Sequence, residues 1–230
     1  MDDHHGNIVR IRAVHNALIS LNKKIVFVGG ATVSLYADRI SFEARPTKDV
    51  DVVIEILSYA EETALEDQLR KIGFKNDVES SIRNRFIYQN TIVDIIPTNG
   101  NWTGFKNDWY PEAYNNAIDY SIDEQGAVKI FPAPYFLATK LEAFGDRGNS
   151  DGYTSKDFED IVFVLENRRI IWQELNSTHG ELKLYLVEKF QELMENKSFE
   201  EWVIGHVDPM GSPPAHSFII PRLKEFVSGN

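Results

Sequence analysis

The stretch Arg45-Pro46-Thr47-Lys48-Asp49-Val50-Asp51-Val52-Val53 turns at the proline and then alternates aspartate with valine. Successive side chains of an extended chain leave on opposite faces, so Asp49 and Asp51 share one face of a strand over 49–56 while Val50 and Val52 pack on the other. Two carboxylates side by side repel each other unless a cation lies between them, and a magnesium ion shared with substrate phosphates takes such a pair. A solvated acidic strand edge shows the same pattern, so the surrounding sequence has to decide.

Upstream, Ile8, Ile11, Val14, Ala17, Leu18 and Leu21 recur at helical spacing over 8–22, and Ile25-Val26-Phe27-Val28 reads as a buried strand. Gly29-Gly30 follows, with a second helix expected over 31–37, so a strand feeds a glycine turn and a helix start. Without side chains, backbone N–H groups at such a turn approach an anion closely. Downstream, 60–71 resumes helical spacing, and 82–88 with 91–96 reads as a hairpin across Gln89-Asn90. In Ile92-Val93-Asp94-Ile95-Ile96 a lone carboxylate sits in an apolar strand, where it needs a partner or a function. Asp49, Asp51 and Asp94 together form an acidic cluster of the kind that holds divalent ions for displacement at phosphorus.

Residues 97–116, beginning Asn99-Gly100-Asn101-Trp102, read as a long connection without a regular core. From about Pro132 strand patterns fade. Helices are expected over 136–144, 158–165, 182–194 and 199–204, with a breaker cluster at 208–214 and a last short helix near 223–227. The fold class is therefore α/β (α+β), a small mixed sheet followed by a C-terminal helical domain.

Composition narrows the chemistry. The 230 residues are 43% apolar and carry 24 basic against 35 acidic side chains, a net charge of −11. That balance argues against a broad basic surface for nucleic acid, leaving at most a local cationic patch. With no cysteine, disulfides, thiolate zinc sites and cysteine nucleophiles are excluded, which leaves oxygen and nitrogen ligands. No apolar run approaches the roughly 20 residues of a membrane span, and the acidic start is unlike a signal peptide, so a soluble cytoplasmic protein is expected, with no membrane partner. His4-His5 reads as solvated terminal sequence. His15, His179, His206 and His216 lack metal-ligand spacing, and neither Gly-x-Ser-x-Gly nor a full P-loop occurs. Trp102, Phe105, Trp109 and Tyr110 have faces that stack on a base, although a packed loop is the simpler account.

The ordered set Val28-Gly29-Gly30, Arg45 to Asp51, Val93-Asp94-Ile95, Lys140 within Leu137-Ala138-Thr139-Lys140-Leu141, and Ser155-Lys156-Asp157-Phe158-Glu159-Asp160-Ile161 resembles the polymerase-β-like nucleotidyltransferases. Within them it is similar to the AbiEii-type toxins of abortive-infection and toxin–antitoxin systems. The resemblance implies a nucleotidyltransferase core over 1–131 and a helical domain over 132–230. It implies that Gly29 and Gly30 cradle the phosphates of a nucleoside triphosphate (NTP), that Asp49 and Asp51 ligate Mg2+, and that Asp94 completes the metal site and helps activate the acceptor hydroxyl. Lys140 matches a lysine that meets the triphosphate, and Lys156, Asp157 and Asp160 match a helix beside the nucleotide. A tRNA end as acceptor and a cognate antitoxin as partner follow from the same resemblance. A protein or small-molecule acceptor such as an aminoglycoside is the enzymatic alternative, and a nucleotide-binding regulator without turnover is the other. The chain departs from the branch at Thr154, where an arginine is frequent, and at Ala31, where a hydroxyl is; Thr32, Ser34 and Arg147 are the candidates to compensate.

Overall fold

The computed structural model describes residues 3–38, 44–98, 107–123, 126–147, 151–211 and 213–229. The chain divides into two compact units, residues 1–32 with 45–132 and residues 33–44 with 133–230. The segment 33–44 groups with the helical unit.

Among its described residues the first unit holds a mixed sheet of seven strands: β1 (Ile25–Val28), β2 (Asp49–Ile54), β3 (Lys75–Asn76), β4 (Arg85–Tyr88), β5 (Thr91–Pro97), β6 (Ile118–Asp123) and β7 (Gly126–Ile130). They lie in the order β3-β4-β5-β2-β1-β7-β6. β2 runs parallel to β5 and antiparallel to β1, which in turn runs parallel to β7. The valines and isoleucines of β1 and β2 are buried, as the sequence pattern demands, and helix α1 (Asp3–Leu18) sets Ile11, Val14 and Leu18 into the same core. Burying apolar side chains of this size stabilises by roughly 1.5–3 kcal/mol each. Helix α2 (Tyr59–Lys71) starts on Ser58, whose hydroxyl accepts from the Glu61 amide, and buries Leu65 and Leu69. The β4–β5 hairpin turns on Gln89 (φ 46°) and Asn90 (φ 66°), the left-handed pair that a two-residue turn requires.

Several expectations need correction here. The helix expected after the glycines is present over Gly30–Tyr36, and it is of the 3-10 type. Helix α1 already covers the backbone of His4 and His5, whose side chains lie outside the described residues. The connection 97–116 contains a helix, α3 (Tyr110–Asn115), with Trp109, Tyr110, Ala113 and Tyr114 buried. Trp109 and Tyr110 are therefore packed residues with no free face for a base, and Tyr110 meets Phe131 edge-on at 5.5 Å. Trp102 and Phe105 lie outside the described residues, as do 99–106 as a whole. Strands β6 and β7 extend the sheet where no strand was expected.

The second unit is helical: α4 (Ala133–Arg147), α5 (Lys156–Asn167), α6 (Ile171–Asn176), α7 (Gly180–Glu195), α8 (Phe199–His206) and α9 (His216–Ser228). Phe158 of α5 lies at its centre, meeting Trp202 at 5.7 Å and Phe199 at 6.2 Å in edge-on contacts. Gly152 is fixed by this cluster, because a Cβ there would fall 2.5 Å from the Trp202 ring. The segment around Tyr36 belongs to the same core: its ring packs 4.6 Å from that of Phe136, and the Asp38 amide donates to the Asn167 carbonyl.

Candidate active site

Cross-strand register builds a row of charge on one face of the sheet. Asp51 on β2 stands directly opposite Asp94 on β5, and Asp94 stands opposite Arg85 on β4. Neighbouring strands lie about 4.8 Å apart, and residues in register point to the same side. Asp49, two residues before Asp51, shares that face. Burial alternates accordingly: Val50, Val52, Val93 and Ile95 are buried, whereas Asp49, Asp51 and Asp94 are half-buried. Asp94 thus lies within the apolar strand β5, as its neighbours in sequence suggest, but on the half-buried face opposite Val93 and Ile95.

Arg85 grips Asp94 with a two-pronged fork, Nε to Oδ1 at 2.7 Å and Nη2 to Oδ2 at 2.7 Å. The side chains are 17% and 13% exposed, so water screens the pair only partly. The bond to Asp94 raises the guanidinium's pKa against the opposing effect of burial, and the charges of Asp94, Asp49 and Asp51 add to the rise. All three aspartates therefore act electrostatically on this one cation.

The glycines serve this row closely. Gly29 has φ +72°, a left-handed conformation that favours glycine, and a Cβ there would lie 1.9 Å from Asp51 Oδ2. At Gly30 a Cβ would lie 2.5 Å from Arg45 Nη2 and 2.8 Å from Thr47 Cγ2. The space freed by the missing side chains is thus occupied by the Asp51 carboxylate and the Arg45 guanidinium. Thr32 is committed as well, its hydroxyl donating to the Gly29 carbonyl at 2.9 Å.

Among the described residues, no three His, Asp or Glu side chains stand together as a ready metal shell. Asp49 and Asp51 nevertheless fit one hard cation, being two oxygen donors on one strand face. Magnesium is held by one or two carboxylates completed by water and substrate phosphates, so a full protein cage is not needed.

In the helical unit the motif residues form a compact ionic network. Lys140 Nζ lies 2.7 Å from Asp160 Oδ2 and 3.0 Å from Asp157 Oδ1. Arg147 holds the other side of Asp157, Nε to Oδ2 at 2.9 Å. Lys140, Asp157 and Asp160 are all buried. Burial alone would lower the lysine's pKa, but Asp160 and Asp157 more than offset it and the pKa is raised, so the ammonium stays charged. Burial likewise pushes Asp157 upward, and Arg147 and Lys140 reverse this to leave its pKa lowered. Two cations and two anions cancel. Lys156, first residue of α5, is exposed and stands apart from Asp157 and Asp160, which face inward.

The residues that reading the sequence missed are Arg85 and Arg45. Arg85 was within reach, because a hairpin with Gln89-Asn90 as its turn pairs 88 with 91 and, stepping back, 85 with 94. Arg45 carried no local signal beyond its place in the turn before β2.

No protein-family model matches the sequence, and no curated protein matches it. Solved structures do. The solution structure of the antibiotic-resistance factor ANT(2'')-Ia aligns over 84% of this chain and 97% of its own, with 13% identity and a TM-score of 0.52. An antigenic nucleotidyltransferase-like protein from Paracoccidioides brasiliensis aligns over 88% of this chain and 92% of its own, with 19% identity and a TM-score of 0.49. At such identities what is shared with ANT(2'')-Ia is the architecture alone, a mixed α/β core followed by a helical region.

Proposed function

We propose that this protein transfers a nucleoside monophosphate from an NTP to an acceptor hydroxyl, releasing pyrophosphate. The observation that carries the reading is the in-register placement of Asp51 beside Asp94, with Asp49 on the same face, in a fold shared with ANT(2'')-Ia. The acceptor oxygen forms a bond to the α-phosphorus as the bond to the β-phosphate oxygen breaks, and the hydroxyl proton passes toward Asp94. Asp49 and Asp51 would hold Mg2+, which supplies charge neutralisation at the phosphate oxygens. Asp94 keeps a free lone pair on each oxygen while Arg85 fixes its plane, which suits it to orient the hydroxyl.

The resemblance puts a tRNA end in the acceptor position of an AbiEii-type toxin with an antitoxin partner. A specific observation favours a small hydroxylated acceptor instead: of the cations on the motif helices, Lys140 and Arg147 are spent on Asp157 and Asp160, which leaves little positive charge there for an RNA backbone.

Each NTP labelled at the α-phosphate, incubated with Mg2+, total RNA and a panel of hydroxylated small molecules, tests the proposal, with Asp51→Asn as control. Label in RNA or in a small molecule that is lost in the variant is expected. NTP binding without transfer to any acceptor would make the protein a regulator, and the absence of both binding and transfer would overturn the reading.

A further inference from the structure

The fork between Arg85 and Asp94 is more than a strand-to-strand ion pair, because of what lies next in the row. Asp49, Asp51 and Asp94 bring three formal negative charges to one face of the sheet, and the Arg85 guanidinium offsets one of them. Arginine does not deprotonate in proteins, so this offset is permanent at any working pH. The fork also fixes the plane of the carboxylate, which a lysine at the same position cannot do. Arg85 itself is held from behind. Asn84, at φ +59°, donates its side-chain amide to buried Glu62 at 2.7 Å, and Arg83 reaches the other oxygen of Glu62 at 2.8 Å. The Asn84 carbonyl accepts from the Ile95 amide at 3.0 Å. The start of β4 is therefore anchored both to helix α2 and to the strand that carries Asp94.

We infer that Arg85 is a resident cation of the acidic row, a positioning residue that orients Asp94 and holds down the row's affinity for a divalent ion. Its effect on turnover rests on the nucleotidyl-transfer reading, while its effect on metal affinity can be read without turnover. Mutual repulsion among three carboxylates raises their demand for a cation, and Arg85 meets part of that demand in advance. Removing the charge makes the row a stronger cation trap but lets Asp94 turn onto the ion and away from the acceptor. Replacing the fork by an ammonium keeps the charge and loses the plane.

The test is Mn2+ binding followed by electron paramagnetic resonance, with and without NTP, on wild type, Arg85→Gln and Arg85→Lys, alongside label transfer. Arg85→Gln is expected to bind Mn2+ at least about tenfold more tightly without nucleotide, and to transfer label roughly 100-fold more slowly. Arg85→Lys is expected to keep Mn2+ affinity within about threefold of wild type while losing transfer to a similar degree, as a charge held without its geometry should. Equal or weaker Mn2+ binding by Arg85→Gln overturns the inference. Should that variant fail to fold, Arg85→Lys decides alone: loss of Mn2+ binding, or full retention of transfer, overturns it. Wild type that takes up no Mn2+ with or without NTP overturns the function proposed above, whereas wild type that binds Mn2+ with an indistinguishable Arg85→Gln overturns only the role of Arg85.

Discussion

Gly29→Ala tests the site's construction without reference to any substrate. The backbone at φ +72° is left-handed, which costs a residue with a Cβ about 1–2 kcal/mol. The second cost is steric: the new methyl would sit 1.9 Å from Asp51 Oδ2 and 2.8 Å from its Cγ, so the carboxylate must swing out of the row. Residues in direct contact typically couple by about 0.5–3 kcal/mol. Together these place the loss at roughly 2–4 kcal/mol, read as a lower urea midpoint at unchanged slope. Asp51→Ala separates the two costs. In that background only its own Cβ, 3.1 Å away, still presses on the methyl, and Gly29→Ala should then cost little more than the conformational part. If the two substitutions add to within about 0.5 kcal/mol, the carboxylate does not rest on Gly29 and the packing of the row is wrong.

Two further outcomes concern the helical unit. Lys140→Met should destabilise the fold by about 3–5 kcal/mol, because it strips the buried carboxylate of Asp160 of its ammonium; a loss below about 1 kcal/mol would mean that the network is open to water. Asp157 has a lowered pKa, so its contribution is complete above the ordinary carboxylate value of about 3.9 and disappears as pH falls through the depressed value. Arg147→Gln, which removes a partner that lowers it, should flatten this acid limb in pH-dependent unfolding, and parallel limbs for variant and wild type would refute the assignment.

How far the sequence reveals this molecule depends on whether a feature is local. The alternation of Asp49 to Val53 places two carboxylates on one face with no further information, and the turn residues Gln89-Asn90 place the hairpin. Lys140 is different. Between Leu137 and Leu141 it reads as a lysine at the edge of an apolar helix face, and only Asp157 and Asp160, one helix later, make an interior position tolerable. Strands β6 and β7 were illegible because Ile118-Asp119-Tyr120-Ser121-Ile122-Asp123 has few apolar residues to bury, and β7 finds its place through a parallel pairing with β1, about a hundred positions upstream.

The two-residue turn at Gln89-Asn90 also bears on the order of folding. Arg85 and Asp94 meet across a closure of only a few residues, which a chain achieves in microseconds, whereas Asp94 meets Asp51 only when a parallel pairing closes a much longer loop. The carboxylate of β5 therefore reaches β2 with its counter-charge in place, and the slow long-range step never has to bring bare aspartates together. A one-residue slip within the hairpin would end that protection, setting Arg85 opposite Val93 or Ile95 and turning its guanidinium toward the core. A loop transplanted here would preserve the chemistry only if it kept the pairing of 88 with 91.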